Sequence, residues 1–195
     1  TADPAILMEP SAEEKVIEMM EKEGIPQDKP LIGISIRKWA DSKYFNKIAQ
    51  IADYCVEKFN AHPVFIPMQY SCDYDASLAI KNCMVHDASI IKGIYSPNVI
   101  LGFTCKLEIL VGMRLHSLIY AASQCIPLIG LVYEPKVDAF LKEILQPSGG
   151  TMDKLDTDKV FRLLDEVWDN RDKIKEELQK SRERLKTMAR CNIAT

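Results

Sequence analysis

The stretch Glu108-Ile109-Leu110-Val111-Gly112-Met113-Arg114-Leu115-His116-Ser117-Leu118-Ile119-Tyr120-Ala121-Ala122-Ser123-Gln124, followed after Cys125-Ile126-Pro127 by Leu128-Ile129-Gly130-Leu131-Val132, decides the fold class. Glu108 to Met113 is a run of strand length, Leu115 to Gln124 has the length of a helix, and Leu128 to Val132 is a second short apolar run. Pro135 to Leu145 then reads as another helix. Neither strand alternates polar and apolar residues. Continuous apolar runs are expected where helices cover both faces of a sheet. Strand, helix, strand and helix in close succession predict a parallel sheet built from crossover units.

The same alternation extends toward the N-terminus. Ser11 with Glu14 forms a capping-box pattern for a helix reaching Glu23, with Gly24 as its stop and Pro26 beyond. Leu31 to Ile36 is a strand. Lys43 to Asn60 is a helix that places Ile48, Ile51, Ala52, Cys55, Val56 and Phe59 on one face. Val64 to Pro67 is a strand, Ser71 to Met84 a weaker helix, and Ser89 to Ile91 a short strand. Ser96-Pro97 reads as the cap and first residue of a helix reaching Lys106. Toward the C-terminus, Pro147-Ser148-Gly149-Gly150 reads as a loop. Two charged amphipathic helices follow, Thr157 to Asp169 and Arg171 to Arg190. Their apolar stripes (Val160, Leu163, Leu164, Val167; Ile174, Leu178, Leu185) are set to pack on a neighbour while the charges stay solvated. The expected fold is α/β, a doubly wound and mainly parallel sheet of Rossmann-like class.

Bulk composition narrows the function. The chain has 195 residues, 47% hydrophobic and 27% charged, enough for one domain with a real core. Its net charge of −3, from 25 basic and 28 acidic side chains, provides no global field for nucleic acid, so an anion must be gripped locally. Six cysteines occur without a CxxC pair. They read as reduced thiols, mostly in apolar surroundings, in a cytoplasmic protein. No run of 18 apolar residues is present to span a membrane. Thr1 to Ala5 has no basic and apolar leader, and an opening without methionine reads as the middle of a longer protein. GxGxxG, a Walker loop, HExxH, clustered carboxylates and GxSxG are all missing, which removes the main support for dinucleotide, ATP, metal and acyl-transfer chemistry.

In doubly wound sheets, ligands bind beyond the carboxyl ends of the strands. Arg37-Lys38-Trp39 follows the first strand, Met68-Gln69 the second, Arg114-Leu115-His116 the strand at Glu108, and Tyr133-Glu134-Pro135-Lys136 the strand at Leu128. Three of these four ends deliver cations, and two run straight into helix N-termini, which favour anions. A small, highly charged anion such as a phosphorylated carboxylic acid is the expected ligand. His116, in a first helical turn beside Arg114, is of a residue type that can exchange a proton near neutral pH. His62 and His86 lie outside this pattern and read as incidental.

Gly112-Met113-Arg114-Leu115-His116-Ser117-Leu118-Ile119-Tyr120-Ala121-Ala122 resembles the GMRLHxLIxAA signature of the polysaccharide pyruvyl transferase family. Four further segments are similar to that family's motifs in the same order: Thr1-Ala2-Asp3-Pro4-Ala5, Gly33 to Trp39, Pro67-Met68-Gln69 with Asp73, and Pro127-Leu128-Ile129 with Tyr133-Glu134-Pro135-Lys136-Val137. Glu134 stands where the family commonly has aspartate. The branch it most resembles pyruvylates secondary cell-wall polymers. The resemblance extends to about Leu145. It implies the C-terminal lobe of a two-lobed, GT-B-like enzyme over residues 1–195, with 1–10 as inter-lobe linker, 157–190 as C-terminal helices, and the N-terminal lobe lying outside this sequence. It also implies phosphoenolpyruvate as co-substrate, a hexosamine of a lipid-linked glycan as acceptor, the protein's own N-terminal lobe as partner, no metal and no other cofactor. Location would be cytoplasmic, at the inner face of the membrane through the substrate. On this reading His116 is the catalytic acid/base, Arg114 and Lys136 hold phosphate and carboxylate, Arg37 assists with the anion, and Tyr133 and Gln69 orient the acceptor. Two other readings stand beside it: a GT-B glycosyltransferase or sugar-nucleotide epimerase lobe, with Glu134 on a ribose, and a scaffold lobe that binds no anion.

Overall fold

Five of the apolar runs form strands: β1 (Leu31–Ser35), β2 (His62–Phe65), β3 (Ser89–Ile90), β4 (Leu107–Gly112) and β5 (Leu128–Val132). A sixth, β6 (Ser148–Thr151), occupies the stretch expected to be a loop. The helices are α1 (Glu13–Glu23), α2 (Lys43–Phe59), α3 (Tyr70–Lys81), α4 (Pro97–Thr104), α5 (Leu115–Ser123), α6 (Pro135–Glu143), α7 (Thr157–Asp169) and α8 (Arg171–Ile193), and 3-10 turns cover Pro4–Leu7 and Met152–Lys154. The structure, a computed structural model, describes residues 3–38 and 43–193. Trp39 and the Thr1-Ala2 start of the linker-like segment lie outside the described residues.

The strands pair in parallel throughout, in the order β3-β2-β1-β4-β5-β6. This is the doubly wound Rossmann order, in which the winding reverses between β1 and β4. The period-two geometry of a strand sends successive apolar side chains to opposite faces. Leu31, Val64, Leu110 and Leu128 join the core beneath α1, α4, α5, α6 and α8. Ile32, Phe65, Ile109 and Ile129 join the core beneath α2 and α7. Both faces are therefore dry, which is why the strands read as unbroken apolar runs.

The helix boundaries follow local chemistry, with one correction. Gly24 ends α1 in the left-handed conformation (φ 66°), which a side chain at Cβ disfavours. At the other end the expected capping box does not form. Ala12 is the cap residue, and the Ser11 N–H donates to the Asn98 carbonyl at 2.9 Å. Ser11 is spent tying the chain to the start of α4. The stripes of α7 and α8 bury Val160, Leu164, Val167, Leu178 and Leu185, with Leu163 and Ile174 half-buried. Helix α8 packs across α5 and the Pro4–Leu7 turn, so the last helix clamps the first segment. The cysteines need a second correction. Cys55 alone is fully buried, its thiol pushed up to about 12 by burial, whereas Cys72, Cys83, Cys105 and Cys191 are exposed.

Candidate functional site

Four adjacent strands, β2, β1, β4 and β5, end at one edge of the sheet, and the residues following them converge there. Gln69 is the cap residue of α3, Arg114 the cap of α5 with His116 in the first turn, and Lys136 lies in the first turn of α6. Gln69, Arg114, His116, Tyr133 and Lys136 line a single cavity of about 440 Å³, together with Met68, Leu115 and Tyr120. Arg37 stands behind this wall, its guanidinium over the Tyr133 ring at 4.7 Å from the centroid. His62 and His86 bond elsewhere, to Ser89 and Glu57, and neither lines the cavity.

The local geometry follows from the sequence around Gly112. The Met113 N–H donates to the Ser35 carbonyl at 2.7 Å, carrying the β1–β4 pairing to the point of reversal. The chain then turns directly into α5. A Cβ on Gly112 would lie 2.9 Å from Leu118 Cδ2 and 3.0 Å from Ser117 Oγ, so only glycine lets α5 settle this closely on its strand. Pro135 opens α6 with its φ pre-set for a helix. The cap residues Arg114 and Glu134 make no side-chain capping bond. Two helix N-termini thus meet one cavity with first-turn N–H groups uncapped by side chains, a geometry that suits an anion.

Each cation at the site also has a carboxylate beside it, which the sequence reading did not foresee. Asp73 is fully buried and accepts Nε and Nη2 of Arg114 at 3.0 and 2.5 Å. It also accepts the N–H groups of Met68 and Gln69 at 3.2 and 2.9 Å. Gln69 takes a further bond from Arg114 Nη2 at 3.1 Å. One carboxylate therefore locks the β2–α3 loop to the β4–α5 loop, and the bonds to Asp73 and Gln69 use Nε and Nη2 but not Nη1. Lys136 Nζ lies 3.1 Å from Glu134, yet its side chain is 61% exposed and can reach a ligand. Burial tends to raise the Glu134 carboxyl, but bonds from Tyr133 and Lys136 and the charges of Lys136 and Arg37 hold it below its usual range. The Tyr133 hydroxyl is pushed up, first by burial and then by its bond to Glu134. His116 Nε2 lies 3.7 Å from the Asp3 carboxylate. The site is thus a set of compensated cations rather than an open positive patch. All three carboxylates lie in segments singled out in the sequence, Asp3 in Thr1 to Ala5, Asp73 one helical turn after Gln69, and Glu134 beside Tyr133, but nothing local in the sequence tells which cation each one meets.

The model of the polysaccharide pyruvyl transferase family matches residues 1–135. The chain belongs to that family. The match takes in every site residue except Lys136, which follows its last position. A search of curated protein sequences returned no significant match. Among solved structures, the fold is similar to a glycosyltransferase from Rickettsia africae (TM-score 0.68, 14% identity, 98% of this chain and 52% of that one) and to the ADP-heptose lipopolysaccharide heptosyltransferase II of E. coli (TM-score 0.65, 13% identity, 81% and 52%). It is also similar to the C-terminal domain of a group 1 glycosyl transferase family protein from Francisella tularensis (TM-score 0.59, 19% identity, 96% and 97%). This pyruvyl transferase family chain spans about half the length of the first two and nearly all of the third. At these identities the likeness is one of fold.

Proposed function

We propose that this chain is the C-terminal, donor-binding lobe of an enzyme that transfers pyruvate from phosphoenolpyruvate to a polysaccharide as a ketal, releasing phosphate. The observation that carries the reading is the convergence of Arg114, His116 and Lys136, from two successive helix N-termini, on one cavity in a member of this family. Nη1 of Arg114, held rigid by Asp73, and the mobile Lys136 take the phosphate and carboxylate, with the first-turn N–H groups of α5 and α6 beneath them. Arg37, behind Tyr133, adds to the field, and Gln69 and Tyr133 orient the acceptor, a hexosamine of a lipid-linked cell-wall glycan. His116 protonates the methylene carbon of the donor, making its neighbouring carbon electrophilic. A sugar hydroxyl adds to that carbon, the bond to phosphate breaks, and a second hydroxyl closes the ketal. One hydroxyl proton replaces the one His116 gave up, and the other leaves with phosphate. The glycosyltransferase reading is weakened at Glu134, the carboxylate it would place on a ribose, because Lys136 already engages it.

The test is a titration of the full-length enzyme with phosphoenolpyruvate and, separately, with UDP-sugars, followed by mass detection of the acceptor. The expected outcome is donor binding by phosphoenolpyruvate alone and a ketal on the glycan. Binding of UDP-sugar with no response to phosphoenolpyruvate would return the chain to the glycosyltransferases.

A further inference from the structure

The Asp3-Pro4-Ala5 segment plays no part in the mechanism above, yet it lies against the proposed acid/base. Asp3 caps the Pro4–Leu7 turn, its Oδ1 accepting the Ala5 N–H at 2.9 Å. Its other oxygen, Oδ2, is the one 3.7 Å from His116 Nε2. The turn is fixed in place: Ile6 is buried, and α5 and α8 hold the segment between them. Tyr120, one helical turn after His116 on α5, feels the same carboxylate, its hydroxyl pushed up by burial and then by the Asp3 charge. The cavity beside Asp3 is lined by Leu115 and Lys136, which also line the donor cavity. Asp3 thus reaches the site from the segment most distant from it in sequence.

We propose that Asp3 is a positioning residue for His116. It draws the Nε2 side of the imidazole toward the Pro4–Leu7 turn and leaves Nδ1 as the nitrogen that exchanges a proton with the substrate. A carboxylate that orients an imidazole and supports its charged form is the usual companion of an acid/base histidine, and such contacts shorten when substrate is bound. The other charged and titratable groups around His116 are Arg114 on its own helix, which is bound to Asp73, Lys136 on α6, which is bound to Glu134, and the hydroxyls of Tyr120 and Tyr133. Asp3 is the only carboxylate within 4 Å of a nitrogen of the ring among the described residues.

The inference rests on the proposed role of His116, and the experiment separates the two. Asparagine caps a helical turn about as well as aspartate. Asp3→Asn in the full-length enzyme therefore keeps the turn and removes the charge. The expected result is a kcat lower by roughly tenfold to a hundredfold, with the KM for phosphoenolpyruvate unchanged and activity partly restored by Asp3→Glu. In a His116→Ala background the same change should cost nothing further, because the pair acts as a unit. Equal losses in both backgrounds, or wild-type turnover in Asp3→Asn, would overturn the proposal. The ring-nitrogen NMR shifts of His116 serve as a second readout that needs no activity. They should change in Asp3→Asn and return in Asp3→Glu, and unchanged shifts count against the pairing. Absence of pyruvyl transfer in the wild-type enzyme rejects the proposed function, and the NMR result then decides the pairing alone.

Discussion

The division of labour proposed for His116 and Lys136 can be separated kinetically. General acid catalysis contributes ~10²–10⁴-fold in rate, so His116→Ala should lose turnover while keeping its affinity for the donor. A charge-assisted bond contributes roughly 1.5–3 kcal/mol, or about one to two decades of affinity. Lys136→Ala should therefore raise the KM for phosphoenolpyruvate more than it lowers kcat. Phosphate release against donor concentration, with the acceptor saturating, measures both. Asp73 tests the scaffold under them. Removing one partner of a buried pair costs about 3–5 kcal/mol, so Asp73→Ala should lower the denaturation midpoint markedly. Asp73→Ala with Arg114→Met should recover part of that loss; a double variant no more stable than the single one would mean that the unpaired guanidinium is not the cause. The site residues themselves were legible because each follows a strand. Their carboxylate partners were much less so, since Asp73 and Asp3 meet Arg114 and His116 from distant parts of the chain.

Elements were legible wherever a single rule governed them. Apolar runs marked β1 to β5, and stripes of helical period marked α2, α7 and α8. The reading failed where long-range contacts overrode local chemistry. Ser148-Gly149-Gly150-Thr151 has the composition of a loop, yet it pairs with β5 as an edge strand. A Cβ on Gly149 would meet Leu131 Cδ2 at 2.7 Å, so the small residue serves close packing here. The capping box at Ser11 gave way to a contact with α4 in the same manner. A different device fastens α1 at its far end, where Glu23 accepts the N–H groups of Lys92 and Gly93, each at 2.8 Å, and the Tyr95 hydroxyl at 2.6 Å. Burial pulls its carboxyl upward, but these bonds and the Lys92 charge hold it below its ordinary value. A lowered carboxylate adds stability that is complete above its unfolded pKa and is lost as pH falls through its folded one. Unfolding measured from pH 6 downward should show a shallower acid decline in Glu23→Gln than in the wild type. Parallel declines would mean that Glu23 adds no pH-dependent stability.

On the scale of the whole molecule, the cavity lies at an open sheet edge, and the chain spans about half the length of the Rickettsia and E. coli glycosyltransferases it is similar to. An oxocarbenium-like centre would be quenched by water at such an edge, so transfer calls for a second wall that closes over it. The isolated 195-residue chain is accordingly expected to form no ketal, and the full-length enzyme is expected to form one. Product formation assayed on both decides the point, and robust transfer by the short chain would show that the catalytic centre is complete within it.

The reversal of winding between β1 and β4 has a kinetic consequence. β1 occupies the centre of the sheet, but one of its two neighbours, β4, begins only at Leu107. As the chain leaves the ribosome, β1, β2 and β3 can associate early, while the other side of β1 keeps its backbone N–H and carbonyl groups unpaired and its flanking apolar surface wet. Contacts so distant in sequence form slowly, and an open strand edge is a template for other chains in the meantime. Nascent chains halted before Leu107 should therefore be captured by chaperones or aggregate, and release from that hazard should coincide with the emergence of Gly112, the residue that also seats α5 on its strand.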